Sequence, residues 1–419
     1  MLDIEYIREN ENEVKQNIKD RDMSVNMDRL LELDETRRAL IDDIQKMREE
    51  RNERSEGGKP SEEEIAELRQ LSNDIDELED SLRKVKKEYK ELLKQVPNKT
   101  APEAPIGPEE EFEVLEQNEE PDEFNFDPKD HLELMKRKDL LDFERGAKTT
   151  GSSFYFTKGD LVTLTQALFD YGLDKVQEYG FELMETPDLA RNEVLESAGF
   201  NPRGNESQIY NIEDSEHSLI GTAEATVLGY HQDEFIDLSE GPKKYAAISH
   251  CFRREAGSYG KASRGLYRVH QFKKLELFIF CKPEQSKELH KELLKIEKDI
   301  YDDLNIPFRV IDIASEDLGA PAYRKFDLES WMTMKGDKDS NGGYGEITSC
   351  GNCLDYQARR ANVKYKTEDG ENKYVHTLNG TAIVSSRAPI AIFENHQNQD
   401  GSIDIPEALW EYMDKKQID

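Results

Sequence analysis

The stretch Phe252-Arg253-Arg254-Glu255, a polar loop, and then Arg264-Gly265-Leu266-Tyr267-Arg268-Val269-His270-Gln271-Phe272-Lys273-Lys274-Leu275-Glu276 decides how this chain is read. Arg253 and Glu255 stand two apart, so on a strand they share a face. Beyond the loop Ala256–Arg264, the run from Leu266 to Phe280 is strand-like, with Arg268, His270, Phe272, Lys274 and Glu276 on one side. A charged, alternating hairpin ordinarily presents a solvated face. This one continues into Leu277-Phe278-Ile279-Phe280, too apolar for a surface edge. A buried sheet with Arg, His, Phe and Glu on one side needs a ligand or ion pairs to satisfy them. Cations for phosphate, a ring for a base and acids for amine or hydroxyl groups are the chemistry of a nucleotide pocket.

Around that hairpin, 419 residues at 36% hydrophobic content allow two or more domains and a large core. The charge is unusual: 90 acids oppose 57 bases, a net −33. A polyanion-binding protein should carry basic patches. Either the partner is not nucleic acid, or the acidity adapts the surface to concentrated salt, where the Debye length is ~3 Å near 1 M. The second reading is preferred because Arg83–Lys94 stays locally basic amid dispersed acids, and a halophilic archaeon is the expected source. No stretch reaches the ~18 apolar residues of a membrane span, and the N-terminus lacks a signal peptide's apolar core. A soluble, cytoplasmic protein is expected. Four cysteines do not read as a disulfide framework, and Cys350-Gly-Asn-Cys353 lacks the second pair that structural zinc requires, so no zinc is expected.

Residues 28–96 tell an independent story. Leu68, Leu71, Ile75, Leu78, Leu82, Val85, Tyr89, Leu92 and Val96 alternate at three and four, and Leu30, Leu33, Leu40, Ile44 and Met47 follow the same spacing with Arg37 intruding. Ser55-Glu-Gly-Gly-Lys-Pro60 separates the two seams, and Ser61-Glu-Glu-Glu64 is a helix-starting capping box. Two helices on a short turn fold back into an antiparallel coiled-coil hairpin about 45 Å long. Prolines 97, 102, 105, 108, 121 and 128 among acids predict an extended linker over 103–130, between an N-terminal domain (1–102) and a domain from 131 to 419. The latter should hold helices near Asp160–Glu178 and Ser286–Leu304. Strands around 208–227, 244–280, 307–313, 344–365 and 374–384 should form a mainly antiparallel sheet, giving an α+β fold. Without a Walker A motif or a helix-opening G-x-G-x-x-G, P-loop and Rossmann enzymes are disfavoured.

The hairpin of residues 252–276 resembles the second signature motif of class II aminoacyl-tRNA synthetases, in its seryl form. Gly180-Phe181 through Glu185-Thr186-Pro187 resembles the first motif, which builds the family's dimer interface. Leu378-Asn379-Gly380-Thr381 through Arg387 and on to Gln397 resembles the third. Glu346-Ile347-Thr348-Ser349, followed by Asn352-Cys353-Leu354-Asp355-Tyr356-Gln357-Ala358-Arg359-Arg360, resembles the block between them. The resemblance spans nearly the whole chain. It implies an antiparallel-sheet catalytic domain behind a helical arm that grips tRNA(Ser), a homodimer, ATP with Mg2+, and ligation of L-serine to tRNA through seryl-adenylate. Service to tRNA(Sec) is left open.

By the same resemblance, Arg253 would hold the α-phosphate and the serine carboxylate, and Arg264 and Arg387 the outer phosphates, with Arg254 beside them. Glu346 and Ser349 would hold Mg2+. Phe272 would stack adenine, Glu255 would meet its amino edge, and Val269, Ile347 and Thr348 would complete base recognition. Thr222-Ala223-Glu224 would meet the substrate's amino end, with Glu276, Asn379 and Thr381 around its hydroxyl. Arg37, Arg38, Arg48, Arg51, Arg54 and Arg83–Lys94 are candidate tRNA contacts. Three departures stand out: Thr381 where serine is common, Ser386 where glycine is frequent, and a polar segment, Thr333–Gly343, in place of a proline-containing turn. Two rival readings remain, a relative that loads a carrier protein and a coiled-coil scaffold with a decayed enzyme domain. The heptads oppose the first, and the intact Arg253, Glu255, Glu276 and Arg387 oppose the second.

Overall fold

The computed structural model describes residues 1–55, 61–200, 208–255, 264–336 and 340–419. They form two compact units, Met1–Lys99 and Thr100–Asp419. The turn at 56–60 and most of the loop Ala256–Arg264 lie outside the described residues.

The first unit holds helices α1 (Ile4–Glu9), α2 (Glu11–Asp20), α3 (Met27–Ser55) and α4 (Glu62–Gln95). The capping box forms as the sequence predicts: Ser61 N donates to Glu64 Oε2 at 2.7 Å, and Glu64 N to Ser61 Oγ at 3.2 Å. Ion pairs Arg29–Glu88, Arg48–Glu79 and Arg54–Glu67 descend on one helix as they climb on the other, which makes α3 and α4 antiparallel. Arg37 is accommodated at the seam. Its guanidinium lies 4.9 Å from the centre of the Tyr89 ring and donates to the buried Asp34, which Arg38 also meets. At the root of α4, Leu93 is the buried residue rather than the expected Leu92. A straight helix drifts ~20° per heptad against a strict seven-residue repeat, so four heptads displace the seam by nearly one position.

The second unit is built on an eight-stranded sheet. In chain order its strands are β1 (Glu113–Gln117), β2 (Glu182–Glu185), β3 (Lys243–Phe252), β4 (Gln271–Cys281), β5 (Phe308–Asp312), β6 (Arg324–Met332), β7 (Gly343–Leu354) and β8 (His376–Val384). Across the sheet they run β1-β5-β6-β7-β8-β4-β3-β2, antiparallel except for the β2/β3 pair. The segment 103–130, expected as a linker, supplies the edge strand β1: Glu113 and Val114 register with Asp312 and Ile311. Its side chains are exposed, which is why the acidic composition reads as unstructured, yet its backbone pairs with the sheet. The expected strand at 208–227 is instead a short strand, His217–Leu219, followed by a helix, Ala223–Tyr230, and 344–365 is β7 followed by a helix, Tyr356–Ala361.

Alternation fixes the two faces. Leu275, Leu277 and Ile279 of β4, with Phe326 and Leu328 of β6, point to a back layer made by α5 (Asp160–Glu178), α7 (Ser286–Asp303) and α9 (Ala388–Asn395). Phe278 and Phe280 point forward, where α6 (Ala223–Tyr230) and α8 (Tyr356–Ala361) cover them. The front face that these two helices leave open becomes the cleft described next. Among the described residues no helix is long and apolar enough to cross a membrane.

Strand β4 starts at Gln271, later than the expected Leu266. Residues Gly265–Tyr267 make a 3-10 turn instead. Gly265 has φ +65, and a Cβ there would fall 2.1 Å from His131 Nε2. The buried His131 receives the Leu266 N–H on Nε2 at 3.1 Å, so its proton sits on Nδ1, 2.6 Å from Glu394 Oε1 of α9. That relay ties the rim of the cleft to the back layer.

Candidate functional site

On the open front face lies a cleft. Of the residues singled out from the sequence, Arg253, Glu255, Val269, Phe272, Glu346, Ile347, Thr348, Thr381 and Arg387 line it. Tyr267, Arg268, Lys274, Val384 and Ser386 also line it without having been assigned a role. Four cations, Arg253, Arg268, Lys274 and Arg387, thus face two carboxylates, Glu255 and Glu346, in a chain whose net charge is −33. A local excess of positive charge beside an aromatic ring suits a phosphorylated, ring-bearing ligand.

Each side chain is held by its strand. Arg253 follows β3; its Nε donates to Gly221 O at 3.3 Å and its guanidinium lies 5.3 Å from the centre of the Phe272 ring. Glu255 takes φ +49, a left-handed conformation uncommon outside glycine, and its carboxylate lies 3.6 Å from Arg268. Arg387 precedes α9 and is clamped: Nε donates to Tyr267 O at 2.9 Å, Nη1 donates to Glu346 O, and the guanidinium stacks 3.7 Å from the Tyr267 ring centre. Ser386 does not crowd this start, since α9 begins normally at Ala388 with Pro389 in its first turn.

A bulge aims Glu346. Leu328 registers with Thr348 and Glu329 with Glu346, leaving Ile347 as the extra residue. The Glu346 side chain is 49% exposed and 3.9 Å from Arg387. Burial around it opposes ionisation, but Arg387, Lys325, Arg253 and Lys274 outweigh that and hold its carboxyl below the usual value. Ser349 does not line the cleft. It registers with Asp327 of β6, which hydrogen-bonds it and whose own carboxyl burial pushes up. The Thr348 hydroxyl turns to the back layer and donates to the buried Glu297 of α7 at 2.9 Å. Glu297 also accepts from Thr381 N at 3.0 Å, so it joins β7 to β8, and burial raises its carboxyl well above the usual value.

Deeper along the same face is a second cluster. Thr222 caps α6 by accepting from Glu224 N at 3.3 Å, while Ala223 packs into the hydrophobic layer and offers no polar group. Gln357 donates to Glu224 Oε1 at 2.6 Å and accepts from Thr377 at 2.7 Å; Asn379 also hydrogen-bonds Glu224. Burial, reinforced by the charge of nearby Glu276, pushes the Glu224 carboxyl up to about 7. Glu276 registers opposite Thr381 and is paired with the Lys274 ammonium. Gln357 was legible only as part of a motif, not as the residue that orients Glu224.

Arg264 does not line the cleft, because its guanidinium pairs with Asp130 at 2.9 Å; Arg268 occupies the lining instead. Arg254 is not among the lining residues either, and its backbone N–H donates to Gln208 O at 2.8 Å. Strand β6, and with it Asp327, went unread, although Phe326, Leu328, Ser330 and Met332 alternate strictly with polar or aromatic neighbours and are buried on one side. All four cysteines are buried, and no group of three or more metal-ligating side chains gathers among the described residues.

Comparison with known proteins places this geometry. The model of the tRNA synthetase class II core domain (G, H, P, S and T) matches residues 209–396, and the seryl-tRNA synthetase N-terminal domain matches residues 1–100. The chain is 49% identical over 421 residues to a serine–tRNA ligase of Treponema denticola, covering 98% of each chain. It is 48% identical to that of Dictyoglomus turgidum, covering 100% of this chain and 99% of the relative. Among solved structures, it is similar to the seryl-tRNA synthetase of Pyrococcus horikoshii complexed with ATP, at TM-score 0.91, 35% identity and coverage of 100% and 99%. It is also similar to the cytoplasmic serine–tRNA ligase of Naegleria fowleri in complex with AMP, at TM-score 0.87, 30% identity and coverage of 100% and 98%.

Proposed function

The chain belongs to the seryl-tRNA synthetase family of class II aminoacyl-tRNA synthetases and is an ATP-dependent serine–tRNA ligase, and from that premise we propose how its residues divide the work. The observation that carries the proposal is the four-cation cleft beside Phe272, whose Lys274 pairs with Glu276 and acts with it on Glu224 of the second cluster. A serine carboxylate oxygen attacks the α-phosphorus, pyrophosphate leaves, and the terminal ribose hydroxyl of tRNA then attacks the carbonyl of seryl-adenylate, releasing AMP. The first nucleophile is already an anion, so no general base is needed, and the task is to hold two anions together and stabilise charge.

Arg253 bridges the serine carboxylate and the α-phosphate, and Arg268 and Arg387 hold the outer phosphates. Phe272 stacks the base, Glu255 meets its amino edge, and the backbone at Val269, Ile347 and Thr348 completes its pocket. Glu346, open to the cleft and held ionised by the cations around it, is the oxygen donor suited to Mg2+, which would neutralise phosphate charge there; Ser349, turned to Asp327 outside the lining, is not placed to share that role. Glu346→Gln should therefore raise the magnesium concentration for half-maximal exchange, and an unchanged magnesium curve contradicts this role.

Serine is recognised by Glu224 at its ammonium and by Glu276, Asn379 and Thr381 at its hydroxyl; a site built for a hydroxyl rejects alanine because its polar groups go unpaired. The Glu224 carboxyl sits above its ordinary 4.5, at about 7. Between those values the folded chain keeps a proton that the unfolded chain releases, so this group's contribution to stability declines as pH rises toward 7. Serine binding runs the other way, because the ammonium needs the ionised carboxylate. KM for serine should be about tenfold higher at pH 6 than on its plateau above 7. A flat profile between pH 6 and 8 would remove Glu224 from this role.

On the arm, Arg37, Arg38, Arg48, Arg54 and Arg83 are engaged by acids of the arm itself. Lys84, Lys86, Lys87 and Lys90 are exposed, and we assign them to the tRNA backbone. The exposed edge strand β2, with Leu183 42% exposed, pairs only with β3 among the described residues and is the proposed homodimer edge; sedimentation equilibrium showing a monomer would reject it. The acid excess is assigned to a cytoplasm of high salt, where surface repulsion is screened.

A further inference from the structure

The polar segment Thr333–Gly343 takes no part in the scheme above. Its first turn, Thr333–Lys335, sends one side chain back across β7. The Lys335 Nζ lies 4.0 Å from the centre of the Tyr267 ring, the same ring that Arg387 stacks on at 3.7 Å. The path is cleared by glycine: a Cβ at Gly345 would fall 2.8 Å from Lys335 Cε, and one at Gly343 would fall 3.1 Å from Lys335 Cβ. Gly345 is also the residue before Glu346. Among the described residues no carboxylate makes an ion pair with Lys335, whereas Arg309 and Arg324 on neighbouring strands have Glu329 and Asp312. Burial, together with Arg387 and Arg268, holds the Lys335 ammonium below its usual value against the opposing Glu329 and Glu346. A half-buried cation beside like charges is favourable only when an anion joins them.

We propose that Lys335 is a third cation of the subsite for the outer phosphates of ATP, and for the pyrophosphate that leaves. The inference rests on the assignment of Arg268 and Arg387 to those phosphates, and it adds a residue from the segment where this chain departs from its family's turn. Lys335 is not itself among the residues that line the cleft; it lies against the Tyr267 ring, which does and on which Arg387 stacks, so it reads the outer phosphates and neither AMP nor serine.

The test uses the full chain carrying Lys335→Met. KM for ATP and the inhibition constant of magnesium pyrophosphate should each rise about tenfold, the loss of one charge-assisted contact. The inhibition constant of AMP and KM for serine should stay within about twofold, which also shows that the cleft is folded. Unchanged ATP and pyrophosphate constants overturn the proposal, as does a parallel loss of AMP and serine binding, which marks a structural role. Arg387→Ala, measured alongside, separates the two levels. If it weakens pyrophosphate inhibition and Lys335→Met does not, only Lys335 is misassigned; if neither does, the phosphate subsite itself is misplaced.

Discussion

Arg253→Ala should lower serine-dependent ATP–pyrophosphate exchange at least about 10^3-fold while the chain keeps its fold. Arg253 leaves the end of β3, its guanidinium sits over Phe272 in the cation-rich cleft, and its Nε reaches Gly221 O, next to Thr222 of the Glu224 cluster. A planar guanidinium at that junction can bridge an oxygen of each reacting anion, which a lysine cannot do in the same geometry. Arg253→Lys should accordingly recover only a small part of the rate. The side chain is only partly buried and its one described hydrogen bond, to Gly221 O, is long at 3.3 Å, so thermal stability should change little. Exchange within about tenfold of the parent would show that another group bridges the two anions.

Removing the arm, residues 30–94, should leave exchange within about twofold and reduce tRNA charging by at least about 10^2-fold. The two activities separate because the chain folds as two compact units and every cleft residue belongs to the second. Within the arm, charge that reads as basic from composition is partly spent: Arg48 and Arg54 bridge to Glu79 and Glu67, and Arg37 and Arg38 share Asp34. The lysines at 84, 86, 87 and 90 keep their charge exposed, so replacing those four by alanine in the intact chain should raise KM for tRNA without affecting exchange. Equal loss of exchange and charging on arm removal would mean that the arm supports the catalytic unit instead of gripping tRNA.

Much of this architecture is legible in the residues, for identifiable physical reasons. Heptad spacing and the Ser61–Glu64 box specify a helical hairpin because both are local patterns that need no distant partner. The front-face set Phe272, Lys274 and Glu276 is legible because β4 alternates along its whole length. What escaped depends on contacts distant in sequence. The 3-10 turn at Gly265 is imposed by His131, far upstream, and the Ile347 bulge that aims Glu346 exists only through pairing with β6. The acidic strand β1 joins the sheet by backbone alone, so its side chains carry no apolar signal. Arg264 looked like a phosphate ligand by position, and Asp130 takes it instead. Gln357 and Glu297 work from the layers packed on either side of the sheet, where a motif shows that a residue is present but not what it holds.

One cleft joins ATP to serine, and the proposal that the −33 charge suits concentrated salt can be tested in the same experiment. The most direct measurement is ATP–pyrophosphate exchange in high potassium chloride, scanned over the twenty amino acids and repeated at low salt. A single maximum is expected at serine, with alanine and threonine far below it and activity rising with salt. A flat response, or a maximum at any other amino acid, would contradict the assignment of the cleft, and activity lost on adding salt would contradict the reading of its −33 charge.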